Sequence, residues 1–407
     1  MRLLFLGLNH APEEIGIGPY TTGLLQSWCE AEHGADAVVG QPYYPQWRVL
    51  PEYRGGWQAA EENGVSLLRC PLYVPGRPTG LRRILHHFSF AASSLMPMLR
   101  RAERGRPDLV MTVAPSLIAA PVALLAARLA GAKSWLHVQD FELEAAQATG
   151  LVSHGLFGRM AGAFERWVLR SFDRVSTISP QMCVRLEEKG VSQDRIVELR
   201  NWAEIDSIRP LEGPSPYRDK WNVRSPHVAL YSGNIANKQG IEIVLEAARL
   251  LAHRKDIAFV ICGEGPNRAN LERLATDLPN VTLHDLQPRE RLGELLSLAT
   301  VHLLPQLANA ADLVLPSKLA NMLASGRPVV ATAAPGTGIA DEVNDCGISV
   351  APGDAWGVAV AIETLVDDEA RREALGRAAR KRAEQRWSRS AILERFVAQA
   401  SAFISDR

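Results

Sequence analysis

His227-Val228-Ala229-Leu230-Tyr231-Ser232-Gly233-Asn234-Ile235-Ala236-Asn237-Lys238-Gln239-Gly240 decides the fold. The apolar run Val228-Ala229-Leu230-Tyr231 leads into a Ser-Gly turn, and a helical pattern takes over after it. Strand, glycine turn and helix in that order open a βαβ unit, because parallel strands cannot be joined by a tight hairpin. This unit lies past the middle of a 407-residue chain. It follows residues 202–226, where Pro, Gly, Ser and charge gather around Leu211-Glu212-Gly213-Pro214-Ser215-Pro216 and both periodicities lapse. That stretch reads as a linker, with a second α/β domain starting afresh beyond it.

The same alternation extends outward in both directions. Candidate strands lie at 2–8, 65–70, 108–113, 134–138 and 174–178 before the linker. After it they lie at 227–232, 257–262, 281–284, 301–304, 328–332 and 347–350, all separated by helical patterns. A single core stops growing near roughly 250–300 residues, so two domains suit this length. Residues 367–407 read as two helices broken near Trp387-Ser388, with Ser388 capping the second. Phe396 and Phe403, seven apart, share a face of that last helix and predict packing against the protein itself. The expected divisions are 1–205, 206–386 and 387–407.

Lys+Arg and Asp+Glu both count 45, so no global field selects nucleic acid as a partner. The five cysteines are scattered and lack metal-ligand spacing, which predicts reduced thiols in the cytoplasm. The apolar start Leu3-Leu4-Phe5-Leu6 is interrupted by Asn9, His10 and Pro12 and reads as a buried strand rather than a leader. Residues 115–129 contain Pro121 and Arg128 and fall short of the roughly 20 apolar residues a membrane span needs.

Four constellations carry chemistry. Gly16-Ile17-Gly18-Pro19 follows the first strand and opens a helix, where amides favour a phosphate anion, although a tight turn alone explains the glycines equally well. His137, Asp140 and Glu142 crowd the carboxyl end of the strand at 134–138, the usual ligand side of an open α/β sheet. A lone histidine there is more often a hydrogen-bonded core residue. Gly233, Asn234 and Lys238 form the third group, with Cys262-Gly263-Glu264-Gly265 as a second glycine loop beside it. The fourth runs from Asp312 and Leu313 to Pro316-Ser317-Lys318-Leu319-Ala320-Asn321, where Lys318 and Asn321 project from one side of a helix start. Together these supply partners for a diphosphate, a ribose and sugar hydroxyls.

These segments, with Gln41-Pro42-Tyr43-Tyr44-Pro45-Gln46-Trp47 and Arg69-Cys70-Pro71-Leu72-Tyr73-Val74-Pro75, resemble the GT4 family of retaining glycosyltransferases nearly end to end. The likeness is strongest to its exopolysaccharide-building members. It implies the GT-B fold: two facing Rossmann-like α/β domains with a C-terminal helix crossing back to the first. The N-terminal domain would bind the acceptor through Asp140 and Glu142, and the C-terminal domain the nucleotide sugar.

Residue by residue, the resemblance implies Gly16 and Gly18 near the donor phosphate, His137 near the donor sugar and Lys238 on the diphosphate. Gly233, Asn234, Gly263, Glu264, Leu313, Lys318 and Asn321 would complete the donor site, and His137, Lys238 and Asp312 would be catalytic. Asn234 stands where an Arg is common, and Asp312 with Asn321 replaces a Glu pair; Lys318 is expected to supply the missing charge. No cofactor and no metal are expected, since lysines can stabilise the departing diphosphate. The donor is expected to be a GDP-sugar, GDP-fucose first, with a UDP-linked N-acetylated deoxysugar as the alternative. A sugar-nucleotide 2-epimerase and a non-catalytic binding partner are the other classes.

Residues 77–106 carry seven Arg and one acid among apolar residues. They predict peripheral contact with the inner membrane surface, where a lipid-linked glycan acceptor would reside.

Overall fold

The structure, a computed structural model, describes residues 1–14, 16–76, 79–144, 155–203, 205–211, 213–235, 239–307, 315 and 317–406. The chain divides into two compact units, Met1–Asn201 with Ile392–Arg407, and Trp202–Ala391.

In the first unit, strands β1 (Arg2–Gly7), β2 (Gly34–Gly40), β3 (Gln58–Glu62), β4 (Val65–Cys70), β5 (Leu109–Ala114), β6 (Lys133–Val138), β7 (Arg174–Thr177) and β8 (Ile196–Glu198) form one sheet. Its order is β3-β4-β2-β1-β5-β6-β7-β8. All pairs are parallel except β3 with β4. Leu4, Leu6, Val38, Val110 and Leu136 bury one sheet face against helices carrying Phe90, Met98 and Val122. The strand order reverses between β1 and β5, so a crevice opens outside their carboxyl ends.

The second unit holds β9 (His227–Ser232), β10 (Ile257–Cys262), β11 (Val281–His284), β12 (Val301–Leu304), β13 (Val329–Thr332) and β14 (Gly347–Val350). They form a parallel sheet in the order β11-β10-β9-β12-β13-β14. The reversal lies between β9 and β12.

The expected linker is part of this unit. Ala203 donates its N–H to the Trp387 carbonyl at 3.0 Å. Ile205 and Ile208 are buried beside Trp387, and Ser215 donates to the Glu294 carbonyl at 2.6 Å. Its periodicity lapses because the path is irregular and pinned by side chains, not because it is a spacer.

The last helix, Arg389–Ser405, has Ser388 Oγ accepting the Ala391 N–H at its start. Phe396 sits 6.1 Å from Trp28 and 5.9 Å from Trp135, and Phe403 meets Trp135 edge-on at 6.0 Å. The Arg174 guanidinium lies 4.0 Å over the Phe403 ring. The helix is thus held in the first unit by aromatic contacts.

Candidate active site

In the second unit the loops after β9 and β10 touch backbone to backbone. A Cβ on Gly263 would stand 1.9 Å from the Gly233 carbonyl oxygen, and one on Gly265 2.2 Å from that of Ile235, so only glycine fits either place. Gly233 N–H donates to the Cys262 carbonyl at 3.0 Å and Ile235 N–H to that of Glu264 at 2.8 Å. Arg268 clamps the pad from outside, donating to the Gly263 carbonyl at 2.7 Å, to Glu264 at 2.8 Å and to Asp285 at 2.6 Å. Glu264 therefore serves the loop through its backbone, with its carboxylate turned to Arg268.

Lys318 stands in the first turn of the helix Ser317–Ala324, which follows β12. Its Nζ is 3.3 Å from the Tyr231 hydroxyl and 4.8 Å over that ring. Its Cδ is 3.4 Å from where a Gly233 Cβ would lie. Tyr231 donates its own proton to the Asn234 carbonyl at 2.6 Å. The structure thus brings Gly233, Asn234, Lys318 and the Gly263 loop together at the carboxyl end of β9, next to the reversal of strand order. Asn321 lies one turn further along the Lys318 helix and is half-buried. Lys238, Asp312 and Leu313 lie outside the described residues. Tyr231, absent from the sequence-based set, contacts Lys318 through both its hydroxyl and its ring; its signal was its place two residues before Gly233.

In the first unit, Glu13 ties the loop after β1 to the loop after β2. Its buried carboxylate accepts Asn9 Nδ2 at 2.7 Å and the N–H groups of Tyr43 and Tyr44 at 2.8 and 2.9 Å. Gly16 has φ of +74°, with the Tyr44 ring 3.1 Å from a would-be Cβ, and a Cβ on Gly18 would meet the Glu13 carbonyl at 2.7 Å. Both glycines have a local steric reason. The helix Gly18–Glu30 also starts with no side-chain cap and no acid in its first turn, which leaves its amino end suited to an anion.

His137 is placed otherwise than expected. It is 1 % exposed, with Nδ1 2.8 Å from Ser176 Oγ and Nε2 2.9 Å from the Gln139 amide nitrogen. Since that amide can only donate, Nε2 accepts and Nδ1–H donates to Ser176. Burial pushes the imidazole down to about 3. The expectation that His137 meets the donor sugar is corrected: both ring nitrogens are spent within the core.

Asp140, two residues past β6, is the exposed group of that strand end. Partial desolvation raises its pKa, while the positive charge of Arg83 opposes the rise. Glu142 accepts the Leu117 N–H at 3.0 Å, and burial, reinforced by Asp140, raises it to about 7. Two carboxyl groups with different proton affinities therefore stand at one strand end, with Arg83 tempering both; the sequence marked Arg83 as part of a basic patch but not as a neighbour of these carboxyls. Among the described residues, no three His, Cys, Asp or Glu side chains gather as a metal site.

Residues 16–202 match the glycosyl transferase 4-like domain and residues 226–368 the glycosyl transferases group 1 family. The chain is 40 % identical over 342 residues to the putative colanic acid biosynthesis glycosyl transferase WcaI of Escherichia coli K12, covering 82 % of this chain and 83 % of that one. It is 26 % identical to the probable glycosyltransferase WbjE of Pseudomonas aeruginosa, over 80 % and 81 % of the two chains. Among solved structures, Anabaena HepE in complex with UDP superposes with a TM-score of 0.68 at 16 % identity, over 99 % of this chain and all of that one.

HepE has also been solved with UDP-glucose and with UDP and glucose. The expectation of a GDP-sugar is corrected on this finding, since the nucleotide held in these structures of the same fold is UDP. The segments behind that expectation do structural work here. Gln41 donates to the Gly55 and Gly56 carbonyls at 3.1 Å each, and Arg69 pairs with Glu62 at 2.7 Å. These contacts help to build the first unit.

Proposed function

The chain belongs to the glycosyl transferase family that joins a 4-like domain to a group 1 domain, and on that premise we propose that its donor is a UDP-sugar. As a GT-B glycosyltransferase it moves a sugar from a nucleotide-sugar donor to an acceptor. The Lys318–Tyr231 pair over Gly233 supports the diphosphate part of the proposal, and the UDP held in structures of like fold supports the base. Glycosyl transfer builds negative charge on the leaving diphosphate, and a cation preplaced by a ring and a hydroxyl stabilises that charge without reorganisation. Lys238, Asp312 and Asn321 join this site in the proposal, and the amides near Gly16 and Gly18 are proposed separately to receive an anion at the amino end of their own helix in the first unit.

UDP and UDP-sugars should raise the melting temperature, since a ligand of the folded state alone stabilises it. Lys318→Ala should weaken UDP binding at least tenfold in calorimetry. Equal UDP affinity in the variant rejects the role of Lys318, and stabilisation by GDP in place of UDP rejects the donor.

The acceptor in this reading is a lipid-linked glycan held through Asp140 and Glu142, as befits a relative named for colanic acid biosynthesis. The helix Gly80–Gly105 supports it. One face buries His86, Phe90 and Met98, while Leu81 at 80 % exposure, Leu85 at 51 % and Phe88 at 60 % point away beside exposed Arg82 and Arg83. Apolar side chains flanked by arginine fit an anionic bilayer surface. No helix among the described residues is long and apolar enough to cross a membrane. Replacing Arg82 and Arg83 by Glu, with Leu85→Ser and Phe88→Ser, should abolish sedimentation with phosphatidylglycerol vesicles. Undiminished pelleting removes the membrane from the proposal.

A further inference from the structure

The helix Glu369–Trp387 crosses the turn before β13 so closely that a Cβ on Gly376 would lie 2.4 Å from the Gly326 carbonyl oxygen. Gly326 itself has φ of +68°, with the Pro210 ring 3.0 Å from a would-be Cβ. Beside this crossing is a solvent-open cavity of about 360 Å³, within the range of small-molecule sites. It lies at the amino end of β13, whereas Gly233 and Lys318 belong to the carboxyl side of the same sheet.

Arg327, Arg372, Arg377, Arg380 and Lys381 line it against two carboxylates, Glu373 and Glu384. Those acids are engaged: Glu384 holds Arg380 Nε at 2.7 Å, and Glu373 meets Arg377 at 3.4 Å with both side chains largely in solvent. Arg380 is further fixed by the carbonyls of Ile208 at 2.6 Å and Ala324 at 2.9 Å. Arg372 donates to the Leu365 and Val366 carbonyls and to Glu369.

Positive charge is left over. Arg327 Nε is buried and has no hydrogen-bond partner among the described residues. Burial lowers the pKa of its guanidinium, and the like charge of Arg372 lowers it further. Lys381 joins no ion pair among the described residues and is exposed at the rim. Two guanidinium groups close enough for each to disfavour the other's charge are unfavourable when partly buried, and a multiply charged anion in the cavity offsets that repulsion. Guanidinium forks match phosphate oxygens two at a time, and an ammonium adds a mobile point charge.

We propose that this cavity binds a small soluble molecule bearing a diphosphate or two phosphate groups, at a site separate from the donor site. The two exposed cations, Arg377 and Lys381, can be reversed without touching the core.

Inorganic pyrophosphate titrated calorimetrically into the full chain at constant ionic strength, with saturating UDP and again without it, tests this. Arg377→Glu with Lys381→Glu should weaken binding at least fivefold in both series. Arg249→Glu with Lys255→Glu makes the same change of net charge at exposed positions elsewhere in the unit and should stay within twofold of the parent. A smaller loss in the cavity variant, or an equal loss in the control, overturns the site. The donor reading is unaffected either way, because it is tested by UDP and Lys318→Ala.

Discussion

Glu13 shows how one side chain sets the rim of the first unit. A single oxygen, Oε1, accepts the N–H groups of both Tyr43 and Tyr44, while Oε2 receives Asn9. Removing the carboxylate leaves two peptide donors without their acceptor, and an unsatisfied buried donor costs roughly 1–3 kcal/mol. Glu13→Ala should therefore destabilise the protein by about 2–4 kcal/mol in chemical denaturation. Glu13→Gln should cost far less, because the amide oxygen keeps both backbone bonds and Asn9 can turn to offer its own oxygen. Equal losses in the two variants would mean that charge, not the acceptor, holds the rim. Glu13 was not legible beforehand, since an acid in a polar loop gives no sign of burial. His137 erred the other way: its strand-end position was legible, but burial and the claims of Ser176 and Gln139 on its ring depend on side chains 2 and 39 residues away. Lys318 was legible because its helix start follows a strand, a local pattern that survives folding.

At the scale of elements, most strands buried on both faces were readable, but β2 was missed although it is buried from Ala37 to Gly40, because Gly-Ala-Asp-Ala carries little strand preference; polar or very short strands were missed as well. β3 is Gln-Ala-Ala-Glu-Glu on the sheet edge, paired antiparallel with β4, so nothing apolar marks it. Its signal was the turn Asn63-Gly64, where φ is +50° and +79°, the backbone that Asn-Gly supplies to two-residue hairpins. β8 spans three residues and is too short to show a period. The terminal helix was readable from Phe396 and Phe403, though not which aromatic rings receive them. Phe396 is fully buried between Trp28 and Trp135. Phe396→Ala opens a cavity there, and aromatic truncations in cores cost about 3–5 kcal/mol. Denaturation should show that loss in the transition of the first unit while UDP still protects the second; a loss confined to the second unit would contradict the assignment of this helix.

The whole molecule carries its buried histidines unevenly, and this governs its response to acid. Burial pushes His10 down to about 4 and His87 and His137 to about 3 in the first unit, against His302 at about 3 as the one comparably large shift described in the second. For an imidazole whose folded pKa lies below the ordinary 6.5, the unfolded chain takes up the proton first. Stability is full above pH 6.5 and declines as pH falls toward the folded values. Glu142, raised to about 7, works oppositely: its contribution is full below the ordinary carboxyl pKa and fades as pH rises through 7. Glu13 and Asp140, whose carboxyls desolvation also raises, act in the same direction, and the three carboxyls together offset part of the histidines' loss. In the second unit Asp256, held down to about 2 mainly by its hydrogen bond with Arg254, loses its contribution only below pH 4. Between pH 6.5 and 4 the first unit should therefore weaken first. Hydrogen exchange, corrected for its intrinsic pH dependence, should show β1 and β6 losing protection at a higher pH than β9 and β12. His87→Phe keeps a ring beside His86 and removes both a titrating group and the orphaned Nδ1. It should move the acid midpoint of the first unit downward, and a midpoint unmoved by this change would show that the histidines do not set it.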